Sequence, residues 1–186
     1  MFRAGASVLM AFVVVTVAGH GCGRGGIPTS DSAVPTDAAF ASMQARGEHA
    51  MGVDQRTSTH VFDALPDGGR IELQRDVNDP EGAAHIREHL QQIAQAFAAG
   101  DFSTPAFVHM QQVPGTSVLA AKRAAIQYTY RELPRGGELR IVTQDAQALA
   151  AIHEFMAFQR EHHRAGGKAH EHPAGHVRKH PGGHHR

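Results

Sequence analysis

"LPDGGRIELQ", residues 65–74, returns 68 positions later as "LPRGGELRIV", residues 133–142. In each copy a Pro and a Gly-Gly pair stand between runs of alternating polarity, which is a β-hairpin pattern. Downstream of the turns, Ile71 and Leu73 alternate with Glu72 and Gln74, as Leu139 and Ile141 do with Arg140 and Val142. Upstream, Ile126, Tyr128 and Tyr130 share one side of a strand. The same offset puts Ser58, His60 and Phe62 on the matching side.

Each hairpin runs into a helical pattern. In "NDPEGAAHIREHLQQIAQAFAAG", Asp79 is the N-cap, Pro80 takes the first helical position and Gly100 is the stop. The helix turns Ile86, Leu90, Ile93 and Phe97 to one side. In "QDAQALAAIHEFMAFQREHHRAGG", Asp145 is the cap and Gly166 the stop, with Leu149, Ile152, Phe155 and Met156 inward. The expected fold class is therefore α+β: two β-β-α repeats forming a four-stranded antiparallel sheet with two helices on one face. Between the repeats, "DFSTPAFVHMQQVPGTSVLAAKRAA" reads as an extended piece followed by a short helix.

The flanks of this body read differently. Arg3 and the apolar run "ASVLMAFVVVTVAG" make residues 1–21 an expected export signal, too short to span a membrane comfortably. Cys22, the single cysteine, follows at once and resembles the acylation site of bacterial lipoproteins, although Gly19 and His20 depart from that pattern. Lipidation at Cys22 and ordinary signal cleavage both stay open. Either implies export to the periplasm or outer cell envelope, with a membrane anchor if Cys22 is acylated. One cysteine forms no internal disulfide, so the core alone must hold the fold. Residues 22–50 are expected as a tether that includes a short helix closed by Gly52, with Phe40 and Met43 inward. The α+β domain is expected over 51–163 and a histidine-rich, disordered tail over 164–186.

Eighteen acidic and 18 basic residues balance, which leaves no bulk charge for nucleic acid. The chain has no Gly-x-Ser-x-Gly elbow, no phosphate loop before a helix and no His-Glu-x-x-His. Asp54, Asp63 and Asp67 form no recognisable acid pair. The expectation is binding rather than catalysis.

Histidine carries the remaining signal, and eight of the 15 lie from His162 onward. In the tail, His170, His172, His176, His180, His184 and His185 are spaced to chelate Zn, Cu or Ni without a fold. In the body, His85 and His89 are one helical turn apart, and the 68-residue offset pairs His85 with His153. His60 points toward the helices if the strand register holds. A metal site of His60, His85 or His89, and His153 is thus conceivable, although imidazoles beside an apolar stripe more often close hydrogen bonds at the core edge. His109-Met110 and the group Met43, His49 and Met51 carry soft ligands that would suit copper, but methionine at such spacing fits packing.

The stretches "MGVDQRTSTHVF", "LPDGGRIEL", "GDFSTPAFVH" and "AIHEFMAFQREH" resemble a group of small exported bacterial proteins of unknown function, over residues 51–163. Its pattern runs Met-Gly-x-Asp-Gln, Thr-His-His, Pro-Asp-Gly-Gly, then His-x-Phe-x-x-Phe-Gln-x-x-x-His. The resemblance marks His60, His89, His109, His153 and His162, while Val61 stands where the pattern has a second histidine. It implies export and the limits of the fold, and no chemistry. The expected function is an exported protein binding transition metal through its tail and a histidine site in the body. The alternative is a non-catalytic envelope interaction module with a protein partner, its basic tail touching anionic surfaces.

Overall fold

Both hairpins form where the echo puts them. The computed structural model describes residues 36–165; the expected export signal, Cys22 and the tail histidines lie outside them. Strands β1 (Ser58–Leu65) and β2 (Gly68–Arg75) pair antiparallel, as do β3 (Ile126–Leu133) and β4 (Gly136–Thr143). The inner strands β2 and β4 then pair antiparallel with each other, giving one sheet in the order β1-β2-β4-β3.

The register makes the duplication geometric. His60 faces Leu73 across β1 and β2, and Tyr128 faces Ile141 across β3 and β4, each residue 68 positions from its counterpart. At the centre Ile71 pairs with Leu139, its own counterpart, so an approximate two-fold axis passes between them. The turns leading into the sheet repeat too: the 3-10 turn Gln55–Thr57 precedes β1 and Arg123–Ala125 precedes β3.

Helices α2 (Pro80–Ala99) and α5 (Ala146–His162) cover one face of the sheet. Asp79 caps α2 through Gly82 N–H, Pro80 opens it and Gly100 closes it in left-handed conformation. Asp145 caps α5 through Gln147 and Ala148. Each helix lies over the other repeat's hairpin: α2 over β3 and β4, α5 over β1 and β2. Ile86, Leu90, Ile93 and Phe97 of α2 meet Ile152, Phe155 and Met156 of α5 above Phe62, Ile71, Leu73, Leu139 and Ile141. Burying such side chains is worth roughly 1.5–3 kcal/mol each, which is what holds a chain without crosslinks together. The outer face is polar, with Arg70 bonded to Asp63 at 2.6 Å and 3.2 Å from Glu72.

Three details differ from expectation. Residues 103–109 are a helix, α3 (Ser103–His109), rather than extended. Asp101 accepts the Ser103 N–H at 2.8 Å, and Pro105 sits in the first turn, where no donor is required. A second short helix, α4 (Thr116–Ala121), follows as expected. On α5, Ala148 is buried whereas Leu149, expected inward, is only half-buried, and the helix ends at His162, short of Gly166. The short helix expected within the tether forms as α1 (Asp37–Met51), capped by Thr36 and closed by Gly52, with Met43 buried and Phe40 half-buried, but it is no tether. Arg46 of α1 donates to the Val108 carbonyl of α3 at 2.7 Å, so α1 packs into the body.

Candidate functional site

A cavity of about 90 Å³ opens between the β1 end of the sheet, α2 and α5, under α1 and α3. Phe62, Leu73, Ile93, Phe97, Val108 and Phe155 make its walls apolar. Its polar lining is Gln55, Thr104, His60, His89, His109, Gln159 and His163, with no carboxylate, lysine or arginine among them.

Each histidine arrives by a different local rule. His60 faces inward because β1 alternates and its neighbours Ser58 and Phe62 on that side are buried. Its ring bonds to the Ser58 backbone, while Nε2 is buried without a partner, so the bonded atom is Nδ1. His89 sits one residue before buried Leu90 on α2 and bonds to the Ala50 backbone at the end of α1. His109 ends α3, where Met110 turns left-handed at φ 54°. Its Nε2 donates to Gln159 Oε1 at 2.9 Å, leaving Nδ1 buried and unpartnered. His163 caps α5, and its ring lies 5.5 Å from that of His60 and 5.1 Å from that of His109. Its Nδ1 is also buried without a partner. Gln55, on the 3-10 turn, rests against Gly47 of α1, where a Cβ would lie 1.2 Å from Gln55 Nε2. Only glycine leaves that seat open.

Burial keeps these rings neutral. Removal from water lowers His60, His89 and His109 from 6.5 to about 4, partly countered by their hydrogen bonds. The His163 ring is pushed well below its usual value, first by desolvation and then by the neighbouring imidazoles. In a neutral imidazole whose one nitrogen donates, the other carries a lone pair. His60 Nε2 and His109 Nδ1 therefore present electron pairs, with no proton, to an apolar chamber. Anchoring the far nitrogen on a carbonyl is also how proteins orient imidazoles as ligands.

The two-fold axis shows what these rings replace. The helices repeat at an offset of 66, not 68, because two fewer residues join β4 to Asp145 than join β2 to Asp79. By that offset Phe97 matches His163, and Phe155 matches His89. In the second half Phe97 meets Tyr128 edge-on at 6.0 Å, the counterpart of the His163–His60 contact. Aromatic packing in one half is replaced by imidazoles in the other.

The same shortening corrects the expected pairing of His85 with His153. The counterpart of His153 is Arg87, and both act as clamps. His153 Nε2 donates to the Leu65 carbonyl at 2.8 Å, and Arg87 donates to the equivalent Leu133 carbonyl at 2.9 Å. His85 turns away to the Gly52 carbonyl, 3.3 Å from its Nδ1. Of the four expected body ligands, His60 and His89 line the cavity, while His85 and His153 do not. His109 and His163 complete the group. Counted along α5, the Gln-x-x-x-His step that marked His162 runs from Gln159 to His163, and His163 is the one that enters. His162 stacks on Phe158 at 3.8 Å. Asp54 caps a 3-10 turn and Asp67 pairs with Arg140, which gives both structural duties.

Among the described residues, no three His, Cys, Asp or Glu side chains are arranged to hold one metal ion, and no helix is long and apolar enough to cross a membrane. Comparison with known proteins found no matching family model, no matching curated protein and no matching solved structure.

Proposed function

We propose that this is an exported, non-catalytic transition-metal-binding protein, tethered to a membrane if Cys22 is acylated. The histidines His170, His172, His176, His180, His184 and His185 gather the ion, and the body's histidine cavity receives it. The observation carrying this reading is that His60 Nε2, His109 Nδ1 and His163 Nδ1 are all buried without a protein partner around one cavity. A buried polar atom left unpaired costs about 1–3 kcal/mol. The other half also buries unpartnered atoms, the Tyr128 and Tyr130 hydroxyls, but only here do three imidazole nitrogens, each a metal donor, gather around one cavity.

Calorimetry with Zn, Ni and Cu(II) salts, and anaerobically with copper(I), on the chain lacking its leader and on a form ending at Ala165 tests the reading. Several weak equivalents should belong to the tail and persist only in the longer form, while one tighter equivalent remains in both. No binding to either form removes the metal role. That outcome would favour an envelope interaction module whose basic tail contacts anionic surfaces, to be sought by pull-down with metal chelated throughout.

A further inference from the structure

The geometry points to a copper(I) site in the body, held by His163 together with His109 or His60, rather than a site for zinc or another divalent ion. This rests on the metal-binding reading above and narrows it to an oxidation state and a ligand set.

Ligand number is the first reason. Zinc sites take four ligands, with at least three from the protein, and nickel and copper(II) favour square or higher coordination. Among the described residues no such group of three is present. Copper(I), a closed-shell monovalent ion, is satisfied by as few as two nitrogen donors. The rings are spaced for a pair. With nitrogen–metal bonds of about 2.0–2.1 Å, two imidazoles on one ion have centroids roughly 5–6.5 Å apart. His163 and His109 are 5.1 Å apart with planes at 85°, an arrangement in which two in-plane lone pairs can meet at one ion. His163 and His60, 5.5 Å apart, are stacked with planes 22° apart and share an ion only if one ring turns.

Charge is the second reason. The cavity lining offers neutral donors and apolar walls but no carboxylate. Moving an ion from water into such surroundings costs in proportion to the square of its charge, so a divalent ion is penalised roughly four times as heavily as a monovalent one. Zinc and copper(II) would enter with both charges uncompensated. The third reason is softness. Met51 also lines the cavity, and a soft thioether favours copper(I) over harder divalent ions.

The test uses the full chain, with and without His163→Phe, titrated anaerobically with copper(I) against a colorimetric copper(I) chelator. Zinc is titrated in parallel against a zinc indicator. His60→Phe serves as a second variant, and circular dichroism with a urea midpoint shows that each variant is folded. The wild type should hold one more tightly bound copper(I) than His163→Phe, with zinc uptake equal in all three; His60→Phe loses that equivalent too if His60 is the second ligand and keeps it if His109 is. Nitrogen-15 spectra of the wild type should show the Nδ1 signals of His163 and His109, or Nε2 of His60, shifting at the first copper(I) equivalent. A zinc equivalent lost from the variants as readily as copper overturns the copper(I) assignment but leaves the metal-binding reading standing. Uptake of both metals unchanged by the substitutions, with no ring shift in the body, removes the site and confines metal to the tail.

Discussion

His163 lies against His60 with ring centroids 5.5 Å apart and planes 22° apart, in the place where Phe97 meets Tyr128 across the approximate two-fold axis. One half of the molecule closes this part of its core with phenylalanine and tyrosine rings, the Tyr128 hydroxyl being buried without a partner. The other does so with imidazoles, of which His60 Nε2, His109 Nδ1 and His163 Nδ1 are buried without partners.

Replacing the imidazoles with phenylalanine should stabilise the protein at the expense of its cavity. The triple variant His60→Phe, His89→Phe and His163→Phe removes two unpartnered buried nitrogens, at His60 and His163, and adds apolar area. Above pH 7 its unfolding free energy in urea should rise by about 2 kcal/mol, while the tight metal equivalent disappears. A drop of similar size would mean that the histidines are needed for packing itself.

Acid should weaken the native protein in a window set by these rings. His60, His89 and His109 bind protons at about 4 when folded but near 6.5 when unfolded. The unfolded chain therefore takes up more protons between those values. Stability from this source is complete above pH 6.5 and falls as pH drops toward 4. For His60 alone the loss between pH 7 and pH 4.5 is on the order of 2 kcal/mol. Urea midpoints measured across that range should fall steadily, and His60→Phe should flatten the slope. An unchanged slope in that variant would mean the ring is already charged in the folded state.

The two clamps should behave as structural equivalents. His153→Ala loses the bond to the Leu65 carbonyl and should cost about 1 kcal/mol. Arg87→Ala loses bonds to the Leu133, Pro134 and Gly136 carbonyls and should cost about 2 kcal/mol. Neither should alter metal uptake, which calorimetry on the folded variants checks. Loss of the tight equivalent in His153→Ala would place that ring in the site after all.

Glycine lets each helix sit close on the strand beneath it. A Cβ on Gly69 would lie 2.7 Å from Met156 Cε and 2.8 Å from Ile152 Cγ2, and one on Gly137 would lie 3.1 Å from Leu90 Cδ1. Gly69→Ala and Gly137→Ala should each destabilise by about 1–3 kcal/mol through overpacking, seen as lowered urea midpoints. A negligible effect at both positions would mean that the helices ride higher on the sheet.

Much of the architecture follows from local patterns. Alternation around the two Gly-Gly turns determined the strands and their register, and the caps Asp79 and Asp145 determined where the long helices begin, because hydrogen-bond capping and pleat depend on near neighbours. The inward direction of His60 was legible for the same reason. The helix offset was not, since two missing residues before Asp145 shift α5 by more than half a turn and exchange His85 for Arg87 as the partner of His153. The ligand cluster was hidden more deeply. His109 meets Gln159 across 50 positions of chain, and His163 reaches His60 only because α5 lies over the first hairpin rather than its own. Which imidazoles share a cavity depends on how helices cross strands, and tertiary packing alone decides that.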